Sequence, residues 1–175
     1  MKRITGLPPV LPKRLRLLIL GSMPGVASLA AQQYYAHPQN AFWPIFLKLA
    51  NADNDITDYD ARIAALKKTG VGLWDVLASC HRRGSLNSAI QNEKANDIAA
   101  LLLRHKSINV IALNGGKAFN SFRLYVKVPQ ARLENLQIFA LTSTSPANAG
   151  KTRAQKLADW QVIAKFLNKN WELYT

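Results

Sequence analysis

Four short apolar segments of the chain have the pattern of buried β-strands. They cover residues 15–22, 72–77, 108–113 and 136–141. The first stops at Gly-Ser-Met-Pro-Gly, the third at Asn-Gly-Gly, and the fourth at Thr-Ser-Thr-Ser-Pro. Such abrupt changes from apolar to small and polar residues predict strands that lead directly into loops.

Stretches with helical spacing lie between and after these segments. Asp58 and Asn96 are suited to cap two helices, and a third helix, which closes the fold, is predicted from about Lys151. The apolar positions expected to face the core of these helices are Ile63, Leu66, Ile98, Leu101, Leu102, Leu157, Trp160, Ile163, Ala164 and Leu167.

The alternation of strands and helices predicts an α/β fold with a four-stranded, largely parallel sheet and helices on both of its faces. No internal repeat, low-complexity segment or linker indicates a second domain, so residues 1–175 are expected to form a single domain. Ligands bind such sheets at the carboxyl ends of the strands. We therefore expect loops 21–43, 75–85, 114–117 and 142–150 to form one site.

Charge and cysteine content narrow the class of protein. The chain has 23 Lys and Arg against 10 Asp and Glu, a formal net charge of +13, which favours nucleic acid as the partner. The single cysteine, Cys80, excludes an internal disulfide and a four-cysteine cluster, and it indicates a reducing compartment. Apolar runs are far shorter than the roughly 20 residues of a membrane span. We expect a cytoplasmic monomer with no membrane partner.

Two common kinds of ligand site, the phosphate-binding P-loop and the metal site, match the sequence poorly. Residues 150–152, Gly-Lys-Thr, suggest the end of a P-loop, but Ser145 stands where that motif requires glycine. The three histidines are widely spaced and lack a second ligand type nearby, so neither a metal nor a cofactor is predicted.

The polar residues of the four loops fit one kind of hydrolysis. Asp75 is their only clear acidic candidate, whereas ordinary glycoside hydrolysis needs two positioned carboxylates. Release of a damaged base from deoxyribose passes through an oxocarbenium-like state, and a positioned water with electrostatic support can suffice for it. The basic charge of the chain is consistent with such a reaction on DNA.

Two stretches of the sequence closely resemble motifs of the uracil-DNA glycosylase superfamily. The first is Leu18–Leu29, with Gly-Ser-Met-Pro-Gly, which continues through Tyr34–Trp43, with Tyr-Tyr-Ala-His-Pro-Gln-Asn. The second is Ser-Thr-Ser-Pro-Ala-Asn at 143–148. Together with residues 72–77 and 84–90, these motifs are similar to the hypoxanthine-DNA glycosylase branch, also called DNA-deoxyinosine glycosylase. The similarity covers nearly the whole chain, in order.

The resemblance implies a monofunctional, metal-free DNA repair glycosylase that flips and excises hypoxanthine, the deamination product of adenine. It implies that Asn40 is catalytic and positions the attacking water. Met23 stands where related mismatch-specific enzymes carry an asparagine, and a thioether cannot orient water. The alternative for Asn40 is a cap on the helix that follows it.

The same resemblance implies the residues that bind the base. Tyr35 corresponds to an aromatic ring that stacks on the extruded base. Either Tyr34 or Tyr35 could instead belong to the core, and we expect one of the pair to face inward and the other to face the site. Ser22 and Met23 are expected to line the pocket, and plain core packing is the alternative for Met23. Asp75 lies where relatives often present an amide, and an ionised carboxylate would accept from N1–H of hypoxanthine while repelling the bare N1 of adenine.

Asp75 also has a structural interpretation, in which it caps the next turn or pairs with Arg82 or Arg83. The hydroxyls expected to hold DNA phosphates, close to a helix N-terminus, are those of Ser143, Thr144 and Ser145. A basic rim is expected to support them, formed by Arg82, Arg83, Lys117, Lys151 and Arg153. Simple helix capping and isolated surface charges are the alternatives for these two groups.

The second motif, residues 143–148, differs from that of many relatives. In those proteins a leucine comes directly after the Ser-Pro pair and inserts into the DNA minor groove. This chain has Ala147 and Asn148 there, so the source of a wedge is open. Two other functions also stay open: a uracil or mismatch-specific DNA glycosylase, and a nucleic-acid-binding module that shares the fold without catalysis.

Overall fold

The computed structural model describes residues 3–167. Within them the chain forms seven strands and seven α-helices, together with 3-10 turns at Asn87–Ala89 and Gln161–Phe166. In chain order the elements are β1 (Arg3–Thr5), β2 (Leu17–Gly21), α1 (Val26–Ala31), α2 (Phe42–Leu49), α3 (Tyr59–Lys68), β3 (Val71–Asp75), β4 (Leu77–His81), β5 (Gln91–Ala95), α4 (Ile98–Arg104), β6 (Val110–Asn114), α5 (Gly116–Tyr125), α6 (Gln130–Leu133), β7 (Gln137–Leu141) and α7 (Arg153–Trp160).

The main sheet has four parallel strands in the order β3-β2-β6-β7. The register places Gly21, the last residue of β2, beside Asp75, the last residue of β3. The predicted α/β fold with a four-stranded parallel sheet is confirmed, and the predicted strands begin within two residues of the observed ones.

The side chains of the central strand β2 alternate between two hydrophobic cores. Leu17 and Ile19 join one core, where helices α2, α3 and α7 cover the sheet. Leu18 and Leu20 join the other core, which α4 and α5 cover. Burial on both faces is the reason that this strand reads as a continuous apolar run, and helices lie on both faces as predicted.

A second sheet was not predicted from the sequence. Segment 72–77 does not form a single strand, because β3 ends at Asp75 and β4 begins at Leu77 in an antiparallel sheet of order β1-β4-β5. Strand β5 has the sequence Gln-Asn-Glu-Lys-Ala, which contains no apolar alternation. Its pairing with β4 therefore has no counterpart in the hydrophobic pattern.

The predicted helix starts are partly correct. Asp58 caps α3, since its carboxylate accepts from the backbone N–H of Ala61 at 2.8 Å. The prediction for Asn96 is wrong, because Asp97 caps α4. The Asn96 amide instead donates to the backbone carbonyl of Asp75 at 2.9 Å, so it supports the end of β3.

The closing helix begins where predicted. Thr152 caps α7, and the Gln155 side chain returns a hydrogen bond to the Thr152 backbone in a capping box. After Trp160 the chain continues in the 3-10 turn, which buries Ile163 and Phe166. Across residues 3–167, the helices are all too short or too polar to cross a membrane.

Candidate active site

A pocket of about 630 Å³ opens at the carboxyl edge of the main sheet. All four of the loops predicted to meet there contribute residues to its wall. The lining residues that the following paragraphs discuss are Gly21, Ser22, Met23, Tyr35, Asn40, Asp75, Leu86, Asn114, Ser143, Thr144, Ser145 and Lys151.

The floor of the pocket depends on the close approach of Gly21 and Asp75. A Cβ atom added to Gly21 would collide with Oδ1 of Asp75 and would lie 3.6 Å from the hydroxyl of Tyr35. Glycine at position 21 therefore allows the carboxyl and the phenol to converge over the end of β2.

Asp75 is a buried carboxyl whose Oδ2 atom has no hydrogen-bond partner within residues 3–167. Burial raises its pKa to about 7, although the positive charge of Arg82 acts in the opposite direction. The ionised carboxylate can only accept hydrogen bonds. Because the pKa is raised so far, the protonated acid is also present near neutral pH, and in that form the group can donate a hydrogen bond.

The alternative in which Asp75 pairs with an arginine is not observed in the described region. Arg82 is buried and donates to the backbone carbonyl of Pro24, so its charge acts on Asp75 through space. Arg83 is exposed. The Asp75 carboxyl therefore faces the pocket without an ion pair.

The two adjacent tyrosines point in different directions. Tyr34 is buried and its hydroxyl donates to the carbonyls of Leu7 and Pro8, at 3.3 and 3.1 Å. Tyr35 has a φ of 57°, in the left-handed region, which turns its side chain to the pocket. Its ring stacks on Phe42 at a centroid distance of 3.9 Å, so a base could use only the opposite face.

The hydroxyl of Tyr35 is a second buried polar group that makes no hydrogen bond of normal geometry within the described chain. Burial raises the pKa of Tyr35 and the negative charge of Asp75 raises it further, whereas the Asn114 side chain acts in the opposite direction. The phenol is therefore neutral and able to donate. Two unpartnered polar groups at the floor of one cavity are an arrangement that a polar ligand would satisfy.

Asn40 lines the pocket just before α2. Its Oδ1 atom accepts from the backbone N–H of Phe42 at 3.0 Å, so the capping contact considered above is present. A carbonyl oxygen has two lone pairs, and the Nδ2 atom has no partner in the described chain. The residue can therefore cap the helix and also bind water.

Two residues of the glycine loop take up the positions expected of pocket walls. Met23 is buried against Leu77 and Cys80 while lining the cavity, so its packing and pocket interpretations both apply. The hydroxyl of Ser22 donates to Oδ1 of Asn87 at 3.1 Å, which ties the glycine loop to segment 85–89.

Asn114 is a pocket residue that was not selected from the sequence. Its Oδ1 accepts from the Thr144 backbone N–H and its Nδ2 donates to the Thr144 hydroxyl, both at 2.9 Å. The Thr144 carbonyl in turn accepts from the N–H of Ala41 at 3.0 Å. Thr144 thereby links β6, the second motif and the residue next to Asn40. The signal in the sequence is the polar residue at the end of an apolar strand.

The three hydroxyls expected to hold phosphate differ in exposure. Thr144 lines the pocket but is only 1% exposed, and its hydroxyl accepts a hydrogen bond from Asn114. Ser143 and Ser145 are partly exposed and line the pocket. Lys156, which the sequence analysis missed, is buried and donates to the Ser145 carbonyl at 3.0 Å. It lies four residues before Trp160, on the buried face of α7.

The basic rim is smaller than predicted. The prediction of Arg82 as a rim residue is wrong, because its guanidinium is buried and donates to the Pro24 carbonyl. Lys117 forms an ion pair with Glu93. Lys151 lines the pocket, although its Nζ contacts Asp159 and the Thr142 hydroxyl. Arg153 is exposed at the first turn of α7, outside the pocket lining.

The described residues contain no group of three or more His, Cys, Asp or Glu side chains arranged to hold a metal ion. The polar groups that line the pocket are hydroxyls, amides, the buried carboxyl of Asp75, the imidazole of His37 and the ammonium group of Lys151. Such a set of side chains can bind a polar ligand and orient water.

Comparisons with known proteins agree with this geometry. Residues 8–167 match the Uracil DNA glycosylase superfamily. A hypoxanthine DNA glycosylase of Methanosarcina barkeri is 32% identical over 151 residues, which are 86% of this chain and 92% of that protein. A hypoxanthine DNA glycosylase of Methanosarcina acetivorans is 36% identical over 158 residues, which are 90% of this chain and 96% of that protein.

A solved structure extends the similarity to the fold. The solution NMR structure of a candidate uracil DNA glycosylase from Methanosarcina acetivorans has a TM-score of 0.79 and 30% sequence identity to this chain. The similarity covers 95% of this chain and 99% of that one. The family that the two motifs indicated is confirmed over nearly the whole sequence, and the chain belongs to the uracil DNA glycosylase superfamily.

Proposed function

We propose that this protein is a DNA repair glycosylase that flips hypoxanthine out of DNA and hydrolyses its N-glycosidic bond. The observation that carries the proposal is the pocket floor, where Oδ2 of Asp75 and the Tyr35 hydroxyl are buried and make no hydrogen bond to any of residues 3–167. The names of the two similar proteins and the net charge of +13 support the same assignment.

Base recognition follows from the hydrogen-bonding groups of Asp75 and Tyr35. Hypoxanthine presents an N1–H donor beside an O6 acceptor. In this proposal, Asp75 accepts from N1–H, and the neutral phenol of Tyr35 donates to O6. Adenine presents a lone pair at N1 and an amino group at position 6, so an ionised Asp75 would face a lone pair there. Loss of a buried hydrogen bond of this kind discriminates strongly between bases.

Hydrolysis then requires a water molecule at C1′ of the deoxyribose. We assign its placement to Asn40, whose Oδ1 is fixed by the Phe42 N–H and retains one lone pair. An amide is not a base, so Asn40 orients the water and does not deprotonate it. The C1′–N9 bond breaks with its electron pair on the purine, water adds to C1′, and the proton released by the water ends on the free base.

Ser143 and Ser145 are proposed to contact the DNA backbone on either side of the target. Lys156 stabilises this loop, because its ammonium group donates a hydrogen bond to the Ser145 backbone carbonyl. Lys151 and Arg153 are proposed to add charge at the rim of the site. In this arrangement the phosphate contacts position the duplex, and the pocket selects the base.

The test is a panel of oligonucleotides that each carry one hypoxanthine, uracil or xanthine, incubated with the purified protein and assayed for release of the free base. We expect release of hypoxanthine, with equal activity in the presence of a metal chelator. Release of uracil alone would identify the enzyme as a uracil or mismatch glycosylase. Binding of every oligonucleotide without release of any base would identify a non-catalytic module.

A further inference from the structure

Leu86 combines two properties that no other large apolar residue in the described chain combines. It is 58% exposed and it lines the mouth of the pocket. The other large apolar side chains that are exposed lie outside the pocket lining, namely Val26, Leu103, Leu124, Tyr125, Leu133, Ile138 and Val162. A single exposed leucine is ordinary on a protein surface, so exposure beside a pocket does not by itself indicate a function. A second observation is needed.

That observation is the way in which the neighbours of Leu86 are held. The Ser85 hydroxyl accepts from the backbone N–H of Val26 at 2.9 Å, and Asn87 accepts from the Ser22 hydroxyl at 3.1 Å. Both contacts fix the segment to the glycine loop that borders the pocket floor. Leu86 lies between these two contacts, so its backbone is held in place while its side chain extends into water.

The second motif offers no side chain of comparable size. The residue after its Ser-Pro pair is Ala147, which is exposed and carries a single methyl group. The motif follows β7, at the opposite edge of the main sheet from β3. Leu86 is therefore the large apolar side chain available at the pocket mouth.

We propose that Leu86 enters the DNA base stack and fills the gap that the flipped base leaves. The inference rests on the proposed function, because it requires a base to leave the duplex. A leucine inserted between bases loses its contact with water and keeps the neighbouring bases from closing the gap. Arg83, exposed three residues earlier, is placed to meet the phosphates beside the insertion.

The test compares Leu86→Ala with Leu103→Ala, a matched change at a leucine that is 53% exposed on α4, away from the pocket. Excision of hypoxanthine is measured under single-turnover conditions on a paired duplex and on a single strand. A wedge matters only where a base must be displaced from a stack. Leu86→Ala should therefore lose about tenfold or more on the duplex and less than about twofold on the single strand. Leu103→Ala should match the wild type on both substrates, and Leu86→Phe should retain most of the duplex activity.

The single-strand rate shows whether each variant is folded and has an intact pocket. Equal losses on both substrates, or no loss on the duplex, would overturn the assignment of Leu86. Failure of the wild type to release hypoxanthine from either substrate would refute the proposed function instead. In that case, fluorescence of 2-aminopurine next to the lesion still tests Leu86, since wild-type binding should raise it and Leu86→Ala should not. A similar signal with both proteins would overturn the wedge.

Discussion

Neutralising the buried carboxyl at the pocket floor is expected to stabilise the protein, in a way that depends on pH. Burial raises the pKa of Asp75 from 3.8 to about 7. Between about pH 4 and pH 7, the Asp75 side chain is protonated more often in the native state than in the unfolded state. Its contribution to the unfolding free energy therefore falls as the pH rises through this range. A difference of about 3 pKa units corresponds to a penalty of about 4 kcal/mol above pH 7.

Asp75→Asn removes this ionisation while keeping the size of the side chain. The variant should exceed the wild type in unfolding free energy by roughly 2–3 kcal/mol more at pH 8 than at pH 5. For a chain of this length, the full effect corresponds to a Tm difference on the order of 10 °C. The measurement is urea unfolding of both proteins at a series of pH values, with Asp55→Asn, a change at an exposed carboxylate, as the control.

Parallel stability curves for wild type and Asp75→Asn across this pH range would refute the reasoning, since they would mean that the carboxyl is not ionising within the folded protein. The same ionisation should govern base choice. The protonated acid can donate to N1 of adenine, whereas the carboxylate cannot. Competition by undamaged DNA should therefore weaken as pH rises through 7 in the wild type and should be independent of pH in Asp75→Asn.

Three further substitutions test the rest of the site. Asn40→Ala should reduce the single-turnover excision rate by about 100-fold or more, with DNA binding measured by fluorescence anisotropy nearly unchanged. Asn114→Ala leaves the buried N–H and hydroxyl of Thr144 without partners, so thermal unfolding should show a loss of about 2–4 kcal/mol. Lys151→Ala combined with Arg153→Ala should lower the slope of log Kd against log salt by about 2 if each residue contacts one phosphate.

Each of these experiments has a control within the chain. An Asn40→Ala protein that melts normally and cleaves at the wild-type rate would assign the water to another group. Lys67 and Lys68 are exposed on α3, outside the pocket, so their double alanine variant should leave the salt slope less affected than the rim variant. Equal slopes for the two double variants would contradict the placement of the rim.

Much of the fold was accessible from the sequence because the main sheet is buried on both faces. Burial on two faces produces unbroken apolar runs such as Leu17–Leu20 and Val110–Leu113, which are typical of the inner strands of a parallel sheet. The second sheet could not be predicted in the same way, since the polar strand β5 is specified by its pairing with β4. Local sequence carries little information about such pairing.

The candidate site, like the fold, could be predicted from the sequence only in part. The loops that meet at the pocket followed from strand ends, and two of them carry the motifs that indicated the family. The ionisation of Asp75 and the burial of Arg82 did not follow, because both depend on which atoms surround a charge in three dimensions. Lys156 was overlooked for the same reason, as its charge suggests a surface position although it holds the Ser145 carbonyl.

The contact between Gly21 and Asp75 makes these two positions a linked pair for protein engineering. A side chain of any size at position 21 would occupy the space of the Asp75 carboxyl. A design that resizes the pocket from its floor must therefore change both residues together, and a library that varies only position 21 should return glycine. Diversity aimed at new base preferences is better directed to Ser22 and Met23, which line the cavity and are not among the atoms that a side chain at position 21 would meet.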